Sequence, residues 1–158
     1  HVTDIPLIEK VAKTQKPIIM STGMSSIDEI DKAVEVVRNY HDQLILLQCT
    51  SCYPTNDADV NLSVIPSLRR RYNCPIGYSG HERGIAICTS AVALGACVIE
   101  RHFTLDRTLK GPDHASSIEP IGMKDIVTRS KKIFTALGTP EKSVLDCELK
   151  NRQKFRGY

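Results

Sequence analysis

The chain has 158 residues, 41% of them hydrophobic and 25% charged, the proportions of a soluble globular domain with enough material for one core. Its formal charge of +3 is the balance of 21 basic and 18 acidic residues scattered along the sequence, with aromatics at 5%; a nucleic-acid binder needs a denser basic stripe interleaved with aromatics, and only Arg69-Arg70-Arg71 and Lys131-Lys132 cluster, as solvated helix faces do. No apolar run approaches the ~20 residues that span a bilayer, so neither nucleic acid nor membrane is expected as a partner.

In chain order, "DIPLIEKVAKTQ" reads as a helix belonging to a preceding unit, and "PIIMS" (17–21) as a short strand. "SSIDEIDKAVEVVRN" follows as a helix, with Ser26 and Glu29 at capping-box spacing and Ile27, Ile30, Val34 and Val37 at helical intervals. "LILLQC" (44–49) is a second strand, and after a polar loop to Asn61 "LSVIPSLRRRY" is a helix that tolerates Pro66 in its first turn. "PIGYS" (75–79) is a third strand, followed by the small-residue helix "GIAICTSAVALG" with Gly95 as its C-terminal stop. "CVIERHF" (97–103) is the fourth strand, and a loop then leads to a helix that opens at Pro120 and closes on Gly138.

Strands alternating with helices predict a parallel sheet, and continuously apolar strands predict burial on both faces. That leaves a doubly wound sheet or a (β/α)8 barrel, of which four units in 158 residues would be half. Half a barrel exposes two strand edges, so either a longer product or a pairing of two copies as a homodimer is expected to cover them. Cys49, Cys74, Cys88 and Cys97 lie in or beside apolar segments, where free cysteine acts as a small buried hydrophobe, and a reducing cytoplasm is the expected location.

In parallel α/β folds, function gathers at the C-terminal ends of strands, which here read "STG", "CTSCYP", "SGHE" and "ERH". Side chains two apart share a side, so Ser79 goes with His81 and Glu100 with His102, and two imidazoles converge on one mouth. Such a pair beside a carboxylate suits a divalent metal with open positions, with Mn, Fe, Co and Zn all open by ligand type. The plainer alternative is that each histidine caps a strand or bonds a carbonyl, and that Glu100 pairs with Arg101 or a loop lysine. Hydroxyls and amides at Ser21, Thr22, Gly23, Ser51 and Ser79 could hold a phosphate or carboxylate, or merely satisfy local backbone. Tyr53 reads as a packed loop anchor or a ligand contact. Cys49 and Cys52 form a C-x-x-C, but neither a helix opening there nor a second cysteine pair supports redox or zinc chemistry.

The blocks "STGMSSIDEI", "QCTSCYPTNDADVNL", "PIGYSGHERGIAI", "AVALGACVIERHFTLDR" and "GPDHASSIEP", in this order and spacing, closely resemble the sialic acid synthases, the N-acetylneuraminate synthase family. The resemblance implies the second half of a TIM-type (β/α)8 barrel over residues 1–138. It implies that 139–158 form a linker toward a small antifreeze-like domain. It also implies a metal-dependent condensation of phosphoenolpyruvate with N-acetylmannosamine or a related 2-acetamido sugar. In that reaction C3 of phosphoenolpyruvate attacks the sugar aldehyde, water adds at C2, and phosphate leaves by C–O cleavage. By resemblance His81 and His102 hold the metal, expected as Mn2+ with Mg2+ or Co2+ as alternatives, and with Glu100 they form the catalytic set. Tyr53 and Asp113 would contact sugar hydroxyls, Ser51 and Ser79 the phosphoenolpyruvate, and Ser21 the sugar side. Gly80 stands where many bacterial relatives have Asp, and Ser51 where many have Asn. A different metal-dependent barrel aldolase or hydrolase, and a non-catalytic half-barrel, remain the rival readings.

Overall fold

The computed structural model describes residues 1–156. Asp4 caps the first helix, α1 (Ile5–Ala12), by accepting from the Leu7 amide at 3.1 Å. Four βα units follow: β1 (Ile18–Ser21) with α2 (Ile27–Arg38), β2 (Leu44–Cys49) with α3 (Val64–Tyr72), β3 (Ile76–Gly80) with α4 (Ala86–Ala93), and β4 (Ile99–Arg101) with α5 (Pro120–Leu137). The strands form one parallel sheet in the order β1-β2-β3-β4. This is half the strand count of a closed (β/α)8 barrel, with β1 and β4 as its edges.

The local signals explain the elements. Ser26 and Glu29 make both bonds of the capping box, Glu29 N to Ser26 Oγ at 3.4 Å and Ser26 N to Glu29 Oε2 at 2.7 Å. Such a cap is worth about 1 kcal/mol. Pro66 sits in the first turn of α3 and Pro120 opens α5, where a missing N–H costs no helical bond. The α4 helix starts later than its sequence suggests, because Gly84 adopts a left-handed φ of 78° and turns the chain before Ala86. The fourth strand is also shorter than expected. Beyond Arg101 the chain leaves β3 and bonds the segment ahead of α5 instead, His102 O accepting from Ile118 N at 2.8 Å and Thr104 N donating to Ile118 O at 3.0 Å.

The central strands are buried on both faces, and Leu46, Leu47, Ile65 and Ile76 are almost wholly excluded from solvent. Each such side chain contributes about 1.5–3 kcal/mol of burial. At the edges, Ile19 of β1 and Phe103 just past β4 stay more than half exposed. Cys74 and Cys88 are buried as expected, whereas Cys49 is half-buried and Cys97 exposed, and all six cysteines are unpaired. The segment read as a linker carries a further helix, α6 (Asp146–Arg156), with no buried residue. Charge rather than apolar periodicity supports it: Leu145 N donates to Glu148 Oε2 at 2.9 Å at its start, and basic residues occupy its last turn. Residues 157 and 158 of that segment lie outside the described ones.

Candidate active site

The parallel register sets the site in two tiers. Cys49, Ser79 and Glu100 lie opposite one another across β2, β3 and β4, and Ser79 Oγ donates to Glu100 Oε1 at 2.7 Å. Glu100 therefore takes neither of the plainer partners expected for it. Two residues further along each chain come Ser51, His81 and His102. The His81 and His102 rings are 5.2 Å apart between centroids, and Tyr53 reaches over both, 4.2 Å from His81 and 5.5 Å from His102. Asp113 comes in from the loop ahead of α5, its Oδ2 3.7 Å from His102 Nδ1. Ser21, the last residue of β1, lies at the same end of the sheet and is among the groups that lower the Cys49 thiol pKa. Gly23 lets that loop approach, since a Cβ there would sit 2.2 Å from Ser51 Oγ. All eight residues expected from the sequence thus gather at one mouth. Thr22 does not join them: it is buried, and its hydroxyl donates to the Leu47 carbonyl at 2.8 Å.

The two imidazoles differ in how they are held: His81 has a hydrogen bond at Nδ1, and His102 Nδ1 has a carboxylate nearby without one. His81 is buried, with Nδ1 3.0 Å from the Thr50 carbonyl oxygen. A carbonyl only accepts, so Nδ1 carries a proton, and in the neutral form of the ring the lone pair lies at Nε2. His102 turns its Nδ1 toward the Asp113 carboxylate. A carbonyl or carboxylate behind Nδ1 is the usual arrangement of a metal-binding histidine. Among the described residues no group of three or more His, Cys, Asp or Glu is arranged to hold a metal ion. The donor set fits a cation held by two protein nitrogens whose other positions go to water and substrate oxygen.

Cys49 is the member that sequence reasoning passed over. Burial works against its ionisation, but hydrogen bonds from His81, Ser21, Ser51 and Ser79 together bring its thiol down to about 7. His81 moves up in turn, chiefly through its bond to Cys49, against the opposing effect of burial. Burial first, then the negative charge of Cys49 and Asp113, pushes the Tyr53 phenol up. The signal for Cys49 was its place two residues before Ser51, on the face that turns toward the mouth.

A family comparison matches residues 1–142 to the NeuB family. The chain belongs to the NeuB family. It is 45% identical over 153 residues to the human N-acetylneuraminate-9-phosphate synthase, covering 96% of this chain and 43% of that protein. It is 42% identical over 161 residues to the N,N'-diacetyllegionaminic acid synthase of Legionella pneumophila, covering 99% and 45%. Among solved structures, the N-acetylneuraminic acid synthetase of Leptospira borgpetersenii, crystallised with citrate, superposes with a TM-score of 0.89 at 39% identity, covering 99% of this chain and 56% of that one. This NeuB chain thus spans about half the length of the relatives it matches, and its four parallel βα units form a half-barrel.

Proposed function

We propose that the full-length protein condenses phosphoenolpyruvate with N-acetylmannosamine or a related 2-acetamido sugar to give a nonulosonic acid, with release of phosphate. The observation that carries this reading is the His81–His102 pair at 5.2 Å, framed by Glu100, Tyr53 and Asp113 at the strand ends of a NeuB half-barrel. The two imidazoles would hold a divalent cation, Mn2+ in the first instance and Mg2+ or Co2+ as alternatives. When bound, it supplies a Lewis acid for the charge that develops on the sugar aldehyde oxygen. Glu100, fixed by the Ser79 hydroxyl, holds or moves a proton beside the reacting carbons. Tyr53 and Asp113 orient sugar hydroxyls, Ser51 and Ser79 meet phosphoenolpyruvate, and Ser21 lies on the sugar side.

The names of the relatives support this choice of chemistry and span more than one sugar, so the sugar is decided by assay. Six unpaired cysteines support a cytoplasmic location, and no described helix is long and apolar enough to cross a membrane. The test is phosphate release from phosphoenolpyruvate by the full-length protein with Mn2+, in the absence of sugar and with N-acetylmannosamine, its 6-phosphate or a diacetamido sugar. Release that requires one of the sugars is expected. Release without any sugar, or none with all of them, overturns the reading.

A further inference from the structure

Behind the reactive face, on the helix side of the same strands, lies a second charged cluster that the proposed chemistry does not use. Arg101 Nη1 meets Glu82 Oε1 at 2.7 Å, with the two side chains 1% and 0% exposed. Tyr78 donates its hydroxyl to Glu82 Oε2 at 2.8 Å, and the carboxylate is thereby bonded on both oxygens. The same guanidinium donates from Nη2 to the Glu82 carbonyl at 2.5 Å and the Ser116 carbonyl at 3.4 Å, and from Nη1 to the Gly84 carbonyl at 3.0 Å. Gly80 leaves the space: a Cβ there would stand 2.6 Å from Glu82 Oε2 and 2.6 Å from Tyr78 Cε1.

Glu82 directly follows His81, and Arg101 directly precedes His102. We propose that the buried Glu82–Arg101 pair is a positioning device that holds the two histidine-bearing strand ends at a fixed separation and ties them to the loop that carries Asp113. This rests on the cation reading of the histidines given above and names the residues that set their geometry. Arg101 grips Glu82 by side chain and main chain at once, which fixes the backbone next to His81. Its contact with Ser116 extends the tie, because the Ser116 amide and the Ser117 hydroxyl both bond the Asp113 carbonyl, at 3.2 and 2.7 Å.

Stability alone does not account for the pair. Desolvating two charges cancels much of their attraction, and a well-packed apolar pair of similar volume is often as stable. Arg101 Nε is moreover buried without a partner among the described residues, a further cost of keeping a guanidinium here. What an apolar pair cannot supply is a directional lock between two strand ends, and binding groups lose effectiveness when misplaced by about 1 Å.

The experiment compares the full-length wild-type protein with the double variant Glu82→Leu/Arg101→Met and with Arg101→Lys. Lysine keeps a charge opposite Glu82 but lacks the second nitrogen that reaches the Glu82 and Ser116 carbonyls. Mn2+ binding is followed by the paramagnetic resonance of the free ion, and folding by thermal melting. The expected result, read at a temperature where each variant is fully folded, is Mn2+ affinity down about 10- to 100-fold in the double variant and a smaller loss in Arg101→Lys. Affinity that stays at the wild-type value in folded variants, or that merely follows the melting temperature, overturns the proposal; should the double variant not fold, Arg101→Lys decides by the same criterion. If the wild-type protein binds no Mn2+, the cation reading fails, and the positioning proposal is judged by the imidazole NMR resonances of His81 and His102. Their displacement in the variants supports it and their constancy overturns it.

Discussion

Glu100 and Arg101 are neighbours on β4 with opposite circumstances. Glu100 turns to the open mouth, exposed and held by one serine hydroxyl, while Arg101 turns to the helix side, where its side chain is 1% exposed and bonded to Glu82 and three carbonyls. The strand's period of two sends one residue to the open mouth and the next to the helix side. The difference teaches that charge at the end of this strand is of two kinds, and that burial, not residue type, tells them apart. The largest expected effect tests the open face. His81→Ala should lower sugar-dependent phosphate release more than about 1,000-fold, since a Lewis acid site is worth several kcal/mol. Melting should change far less than activity. A collapse of the fold instead would move His81 to the supporting face and erase the distinction.

On the closed face the ordering should reverse. Glu82→Leu alone strands the Arg101 guanidinium in the interior, and the expected loss is about 3–5 kcal/mol of stability in urea unfolding. A loss under 1 kcal/mol would mean that water reaches Arg101 and that the two faces are less different than the burial suggests.

Much of this contrast was legible in the sequence, and the failures have physical reasons. Strand and helix positions followed from periodicity and caps, and the eight mouth residues followed from counting two along each strand and from family resemblance. The Glu82–Arg101 tie was not legible, because it joins residues 19 apart whose pairing depends on the lateral register of β3 and β4. Local sequence instead offered Glu100 as the partner of Arg101, and a strand sends those two to opposite sides. Thr50 contributes only a carbonyl to His81, which no side-chain pattern reveals. The α6 helix escaped because its support is charge at its ends rather than an apolar stripe.

Ser79→Ala sharpens the comparison on the open face with a smaller effect. It removes the hydroxyl that donates to Glu100 at 2.7 Å. A hydrogen bond to a charged group is worth about 1.5–3 kcal/mol, so activity should fall about 10- to 100-fold. Stability should stay nearly level, because Glu100 is exposed and water replaces the lost donor. A stability loss larger than the loss in transition-state stabilisation would show that Ser79 belongs to the core.

The smallest effect comes from a partly exposed ion pair at the surface. Asp31 accepts from Arg71 Nε at 2.9 Å and from the Tyr72 hydroxyl at 2.7 Å on the surface between α2 and α3. The bond from Arg71, then that from Tyr72, holds its carboxyl at about 2 instead of the ordinary 3.8. A folded value below the unfolded one means stability that is complete above about pH 4 and lost as pH falls toward 2. Melting of wild type against Asp31→Asn should therefore show a gap in favour of wild type at pH 6 that closes between about pH 4 and 2. High salt should shrink it, as screening acts on exposed pairs. A gap that survives at pH 2, or that salt leaves untouched, would mean that Asp31 acts through its hydrogen bond to Tyr72 and not its charge. The surface pair would then resemble the buried Glu82–Arg101 pair more closely than its exposure allows.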